Sequence, residues 1–148
     1  MSALTVQNLW KSFNGKPALR GVSFSIQPGE IVALLGPSGC GKSTILNLVA
    51  GLAQPDLGEL AWEGSSLRGI PPHRRNFGLM FQDYALFPHL NVYENVAFGL
   101  RLAGNSPEAL RTRVREMLAL VGLDGFEARD VNTLSGGEAQ RIALARSL

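Results

Sequence analysis

The hydrophobic and polar positions divide the chain into a strand-rich first part and a helical second part. Leu4–Phe13 has strand composition and is followed by Asn14-Gly15, a strong hairpin turn signal. Residues 22–26 alternate apolar and polar side chains, which predicts a half-buried strand. Residues 31–35, IVALL, are apolar throughout, as expected of a strand covered on both faces in a parallel sheet. Further short strands are predicted at residues 59–62 and 77–81.

The second part follows a helical pattern from about Asn91. Val92–Leu102 is one predicted helix. Another begins at Ser106, with a proline and an acid in its first turn, and runs to Val121 before a glycine. The last helix begins at Ser135. An earlier helix is predicted over residues 43–50, where it follows a glycine-rich loop and ends at a glycine. The pattern therefore predicts an α/β protein with a helical second part.

The glycine-rich loop, GPSGCGKS, satisfies the G-x-x-x-x-G-K-[ST] pattern between a predicted buried strand and a helix. Glycines allow backbone N–H groups to turn towards phosphate, and the helix adds its positive N-terminus. The lysine would reach the β- and γ-phosphates of ATP, and the Ser43 hydroxyl would hold Mg²⁺. The predicted ATP-binding residues here are Gly36, Pro37, Ser38, Gly39, Cys40, Gly41, Lys42, Ser43 and Thr44.

Cys40 has two interpretations. It is a tolerated filler of the loop, or it is a thiol near a helix N-terminus, where the thiolate is favoured and reactivity rises. As the single cysteine of the sequence, it excludes an internal disulfide and fits a reducing compartment.

Composition limits the possible classes of protein but identifies no functional residue. The 148 residues suffice for one domain, or for a core with a small subdomain. With 45% hydrophobic and 18% charged residues, the chain is globular rather than disordered. A net charge of +2 is typical of a solvated surface and gives no argument for nucleic acid. No basic-apolar-small leader opens the given sequence, so we expect no secretion, and no apolar run approaches about 18 residues, so we expect the chain itself not to span a membrane.

With the phosphate loop and Leu134-Ser135-Gly136-Gly137-Glu138 both present, the chain resembles the nucleotide-binding subunits of ABC transporters over its whole length. FQDYALFPHL and ENVAFGL resemble the bacterial importer branch. The resemblance implies a P-loop NTPase core with an antiparallel β subdomain, an incomplete parallel sheet and a helical subdomain. Residues 1–82 would form part of the nucleotide-binding core, 83–134 the helical subdomain, and 135–148 the signature helix.

The resemblance also implies roles outside the loop. Phe13 would stack on adenine, the alternative being a core aromatic at a strand end. Gln82 would contact Mg²⁺ together with Ser43, and would contact the attacking water. Residues 84–90 would dock a helix of a membrane partner. Arg74 and Arg75 are expected to be solvated, with no role.

The signature motif raises a separate question. Ser135 and Glu138 form a capping-box pattern, which explains those two residues. It does not explain Gly136 and Gly137, each of which costs up to about 1 kcal/mol in a helix relative to alanine. In the family this bare backbone binds the γ-phosphate of an ATP held by the partner subunit. Glu138 stands where the family usually has glutamine, which leaves a direct contact of its side chain with nucleotide open.

Together these features predict the ATP-hydrolysing motor of an importer, driven by ATP-dependent closure of a homodimer or of a pair of ABC subunits. Further partners would be membrane permease subunits and, indirectly, a solute-binding protein, with no nucleic acid. The subunit would be cytoplasmic and peripheral on the inner face of the membrane. In the family the Walker B aspartate, the catalytic glutamate and the switch histidine follow the signature helix, and none finds a match before the sequence ends at Leu148. His73 and His89 precede the signature and cannot be the switch histidine. We therefore expect an N-terminal fragment with no catalytic residue of its own and negligible hydrolysis.

Three alternatives remain open. A DNA-repair or chromosome-condensation ATPase would carry a long coiled-coil insert, which the short spacing between Gln82 and Ser135 disfavours. A translation factor would carry tandem cassettes and a second phosphate loop. A nucleotide-binding module without catalysis would act as an interaction protein.

Overall fold

The computed structural model describes residues 2–148, which form two compact units that divide between Phe77 and Gly78. The first unit contains all the described strands, and the second contains three of the four described α-helices. None of the helices in residues 2–148 combines the length and the hydrophobicity that a membrane span requires.

A four-stranded antiparallel sheet forms the first unit, in the order β2-β1-β3-β4. Its strands are β1 (Leu4–Phe13), β2 (Lys16–Ile26), β3 (Leu57–Trp62) and the short β4 (Ser65–Ser66). Asn14-Gly15 joins β1 to β2 with positive φ at both residues, as a tight hairpin requires. The predicted first strand and hairpin are thereby confirmed, and β2 begins six residues earlier than its alternating pattern indicated.

Helix α1 (Lys42–Ala50) packs its apolar side against this sheet. Leu48 on the helix and Leu9 on β1 are fully buried. Burying a side chain of this size contributes about 1.5–3 kcal/mol. The helix ends at Gly51, whose left-handed φ of 83° confirms the predicted stop. The buried cluster consists of Leu4, Val6, Leu9, Leu19, Ile45, Leu48, Leu60 and Leu67.

Arg75 closes the C-terminal end of α1, so the expectation that it is solvated is wrong. Its side chain is only 7% exposed. The guanidinium donates to the carbonyl oxygens of Leu48 at 2.9 Å and Val49 at 2.7 Å, both in the last turn of α1. It also donates to Ile70 at 2.8 Å and Leu67 at 3.1 Å. Burial lowers the pKa of Arg75 below its ordinary value, and four carbonyl dipoles stabilise its charge.

Two predicted strands do not form. Residues 31–35 and 77–81 lie outside every β-ladder of the described chain. Ile31 is 97% exposed and Leu35 is 90% exposed. An apolar run predicts burial, but a strand also needs a neighbouring strand for its backbone hydrogen bonds. The sheet of the described residues is antiparallel and gives these segments no such neighbour.

The second unit is built from helices α2 (Val92–Leu102), α3 (Pro107–Leu120) and α4 (Gly136–Ser147). All three predicted helices are confirmed to within a residue or two. Asn91, Ser106 and Ser135 cap their N-termini with side-chain oxygens, and Asn91 forms a full capping box. The helices enclose an apolar core made of Val92, Val96, Ala97, Leu110, Val114, Met117, Leu118, Leu123, Val131, Ile142 and Ala145.

Replacing Arg75 with methionine removes the donors and leaves buried carbonyls without partners. We expect Arg75→Met to lower the free energy of unfolding by about 3 kcal/mol, measured by urea denaturation. The matched control is Arg74→Met, because Arg74 is the exposed neighbour; its effect should stay below about 0.5 kcal/mol. Equal effects of the two substitutions would contradict the role of Arg75.

Candidate nucleotide-binding site

The predicted phosphate loop is an exposed turn between residues 31–35, which form no strand, and α1. Its backbone has positive φ at Gly36, Gly39 and Gly41. At Gly41 a Cβ would lie 2.7 Å from both the Ala18 carbonyl oxygen and a Leu19 methyl group. Only glycine fits this position, because both its φ of 100° and its close approach to β2 disfavour a side chain.

The start of α1 is left open to a ligand. Gly41 occupies the N-cap and provides no side-chain cap, while Ile45 N–H already donates to the Gly41 carbonyl at 3.0 Å. The N–H groups of Lys42, Ser43 and Thr44 are therefore the unengaged donors of the first turn. They lie at the positive end of the helix, where an anion is stabilised.

Lys42 folds back over the loop. Its ammonium donates to the carbonyl oxygens of Gly36 at 2.7 Å and Pro37 at 2.8 Å, and approaches Cys40 Sγ at 3.6 Å. The loop thus holds an ammonium beside the open helix N-terminus. A polyphosphate, with charge and many acceptors, is the ligand that this arrangement suits.

Phe13 lies at the end of β1 and is 50% exposed, outside the buried cluster of the first unit. Its ring has Lys11 Nζ 5.6 Å from the centroid, and that ammonium also donates to Asp56 at 2.7 Å. The free face of the ring is available to another planar group, and adenine stacking stays a prediction.

The remaining predicted residues belong to the second unit. Gln82 is exposed in a turn, at the start of the segment that contains residues 84–90. That segment is held by side-chain amides. The fully buried Asn95 accepts from Phe87 N–H at 2.8 Å and donates to the Phe87 and Leu90 carbonyls, both at 3.1 Å. Asn132 donates to the Pro88 carbonyl at 3.0 Å. The backbone of the proposed docking segment is therefore held in place by side chains of its own unit.

The predicted capping box is present at α4. Glu138 N–H donates to Ser135 Oγ at 3.3 Å, and Ser135 N–H donates back to Glu138 Oε2 at 2.8 Å. The Ser135 hydroxyl also donates to that oxygen at 2.7 Å, and Arg129 lies 3.7 Å from the other oxygen. The Ser135 hydrogen bonds, with a smaller contribution from Arg129, lower the pKa of Glu138 below its ordinary value of 4.5.

Nothing in the described chain requires glycine at positions 136 and 137. Neither residue has a positive φ, and a Cβ on either would meet no atom within 4 Å. The capping box engages the N–H of Glu138, and Ala139 N–H donates to the Ser135 carbonyl at 2.9 Å. Gly136 and Gly137 therefore carry the first-turn N–H groups that remain unengaged.

Sequence reasoning missed Arg75, Asn95 and Arg146. Asn95 gave a signal, since it is a polar residue beside Val92 and Val96 on the apolar stripe of α2. The two arginines gave none, because their partners are main-chain carbonyls, which every residue has.

Residues 19–148 match the family described as ABC transporter. The spermidine/putrescine import ATP-binding protein PotA of Mesoplasma florum is 48% identical over 145 residues, which cover 98% of this chain and 41% of that protein. The chain thus spans about two fifths of that relative's length.

Two solved structures have the same fold. The cbiO1 protein of Clostridium perfringens, part of the transporter complex cbiONQ, superposes with a TM-score of 0.89 at 30% identity, over 99% of this chain and 61% of that one. The dimeric cassette MJ0796, in a post-hydrolysis state bound to ADP and Pi, has a TM-score of 0.87 at 33% identity, over 98% of this chain and 68% of that one.

The capping box predicts a pH dependence. A carboxylate with a depressed folded-state pKa contributes stability above its unfolded pKa and loses it as pH falls through the folded pKa. We expect the difference in free energy of unfolding between the unsubstituted protein and Glu138→Gln to be constant near neutral pH and to shrink below pH 4.5. In a Ser135→Ala background, which lacks the main hydrogen bond, this shrinkage should be smaller. An unchanged pH profile in that background would contradict the assignment.

Alkylation tests the exposed thiol of Cys40. If the nucleotide lies over the loop, ATP at ten times its Kd should slow labelling by about tenfold, and alkylated protein should not bind ATP. Mass spectrometry measures labelling, and Cys40→Ser provides the unlabelled control. Equal labelling rates with and without ATP would place the nucleotide elsewhere.

Proposed function

Because this chain belongs to the ABC transporter family, we propose that it is part of the ATP-hydrolysing motor subunit of a solute importer. The observation that carries the proposal is the pair of unengaged glycine N–H groups at α4, which neither φ nor packing within the chain explains. Such backbone at a helix N-terminus suits a phosphate supplied from outside the chain.

The first unit would bind the nucleotide. The open first turn of α1 and the ammonium of Lys42 would hold the phosphates, and Phe13 would stack on adenine. Mg²⁺ prefers oxygen ligands and keeps several of them from substrate and water. The Ser43 hydroxyl and the Gln82 amide oxygen suit it chemically, and bound Mg²⁺ would neutralise phosphate charge. No cluster of acidic or histidine side chains in residues 2–148 forms a metal site of its own.

The second unit would act on the ATP of another subunit. Gly136 and Gly137 would direct their N–H groups at the γ-phosphate bound by the partner's loop, so that two nucleotides join two subunits. Loss of that phosphate on hydrolysis would remove the shared contact and let the dimer open. The dimeric form of the MJ0796 cassette with ADP and Pi supports this arrangement.

The importer assignment rests on the relatives, including the M. florum protein, which is named for spermidine and putrescine import. Polyamines are therefore the first candidates for the cargo. We further propose that residues 84–90 dock a permease at the inner face of the membrane, with a solute-binding protein acting on the other side. Residues 1–82, 83–134 and 135–148 would serve as the nucleotide-binding, helical and signature segments.

Alanine at positions 136 and 137 tests the shared phosphate contact. Each of Gly136→Ala and Gly137→Ala should leave stability unchanged or raise it by up to about 1 kcal/mol, because alanine favours helix and nothing obstructs its methyl group. ATP-dependent dimerisation, measured by analytical ultracentrifugation with the full-length subunit, should weaken by at least about tenfold because the methyl group holds the phosphate away.

The control is Gly99→Ala in α2, where a Cβ likewise meets no atom within 4 Å. It should show a similar change in stability and normal dimerisation. Dimerisation that survives both signature substitutions would count against the proposed function.

A further inference from the structure

Helix α4 contacts, at its far end, the turn that follows Gln82. Arg146, in the last turn of α4, donates through Nη1 to the Ala85 carbonyl at 2.7 Å and through Nη2 to the Tyr84 carbonyl at 3.0 Å. Its guanidinium carbon also lies 5.2 Å from the centroid of the Phe87 ring. Burial lowers the pKa of Arg146 below its ordinary value. The side chain is therefore engaged with the turn rather than solvated.

The turn that it holds is strained. Tyr84 has a φ of 60° and Ala85 a φ of 44°, so two consecutive residues with side chains lie in the left-handed region. L-residues adopt this conformation only at an energetic cost, and it persists where surrounding contacts hold it in place. Arg146 contacts the carbonyl oxygens of both strained residues, which makes it the contact best placed to hold them.

The segment before Gln82 meets the same helix turn. A Cβ on Gly78 would lie 2.5 Å from the Ser147 carbonyl oxygen and 3.3 Å from Ser147 Cβ. Glycine thus permits a close approach to the end of α4. Contacts with the last turn of α4 therefore lie on both sides of Gln82. Gly78, four residues before it, approaches Ser147, and Tyr84, two residues after it, accepts a hydrogen bond from the adjacent Arg146.

We propose that Arg146 is a positioning residue that fixes the Gln82 turn to α4, so that this turn and the signature at the other end of the helix move as one body. The inference deepens the proposed function and rests on it. Helix α4 has 12 residues and is about 18 Å long. A phosphate contact at Gly136 and Gly137 would then be transmitted along a rigid element to the residue that the family resemblance places beside Mg²⁺ and the attacking water.

The chemistry of the contact favours arginine. A guanidinium presents a planar fork that donates to two carbonyls at once, whereas an ammonium is a single point of charge on a flexible stem. Lysine at position 146 would keep the charge and hold one carbonyl. Methionine would keep the apolar stem and hold neither.

The test compares Arg146→Met and Arg146→Lys in the full-length subunit, with Arg113→Met as the matched control. Arg113 is an exposed arginine of α3 in the same unit, paired with Glu116 at 3.2 Å. In protein without nucleotide, hydrogen exchange of the amides at residues 82–87 should accelerate about tenfold in Arg146→Met, less in Arg146→Lys and not in the control. The rest of the second unit should keep its protection.

ATP hydrolysis provides the second measurement. In Arg146→Met we expect kcat to fall about tenfold while the KM for ATP stays within about twofold, since the phosphate loop is unchanged. Adding Ala85→Gly to Arg146→Met should recover part of kcat, because glycine adopts a positive φ without strain.

Faster exchange throughout the second unit, or exchange at residues 82–87 that does not change, would overturn the proposal. So would an equal loss of kcat and ATP affinity with no recovery from Ala85→Gly. If the unsubstituted subunit binds no ATP, the proposed function fails, while the exchange measurement still decides whether Arg146 holds the turn.

Discussion

The architecture of the first unit depends on a buried guanidinium whose partners are main-chain carbonyls. Burying a charge is costly unless hydrogen bonds compensate it, and Arg75 obtains four, two of them from the last turn of α1. A cation at that end also matches the negative end of the helix dipole. With its C-terminus held in this way and Leu48 buried against the sheet, α1 has a fixed axis. Its N-terminus, which Gly41 leaves uncapped, is consequently held in place as the proposed anion site.

In the second unit, the two ends of helix α4 differ in the same way. At the C-terminal end of α4, Arg146 donates to carbonyl oxygens outside the helix and ties the end to a strained turn. At the N-terminal end, glycines leave two N–H groups open. In both units an arginine holds the C-terminal end of a helix in place, and glycine leaves backbone N–H groups unengaged at the N-terminal end. A helix end can bind a ligand strongly only if the helix does not shift when the ligand arrives, so the two features serve one another.

The sequence predicted the parts of this structure that depend on local signals. The helices from Val92 onward are marked by periodicity and by capping residues, and the first hairpin by Asn14-Gly15, so their positions followed directly. The predicted phosphate loop is visible in the sequence because its glycines occupy positions of positive φ, which glycine adopts without strain. Its binding of phosphate stays a prediction. Residues 31–35 were predicted as a strand of an incomplete parallel sheet and form none, because hydrophobicity records a preference for burial and the described residues supply no neighbouring parallel strand. Arg75 and Arg146 were missed because a carbonyl acceptor leaves no mark on the sequence.

The hydrogen bonds that Glu138 makes at the N-terminus of its own helix determine how the signature motif can contact a phosphate. A carboxylate beside a phosphate would be repulsive, which would oppose phosphate binding at this helix. The structure resolves the conflict, since the carboxylate accepts from the Ser135 backbone and hydroxyl and lies near Arg129. The carboxylate is thus engaged in capping its own helix. The amide oxygen of a glutamine would accept the same hydrogen bonds. The proposed phosphate recognition at α4 would then fall to the backbone of Gly136 and Gly137, which a change at position 138 leaves intact.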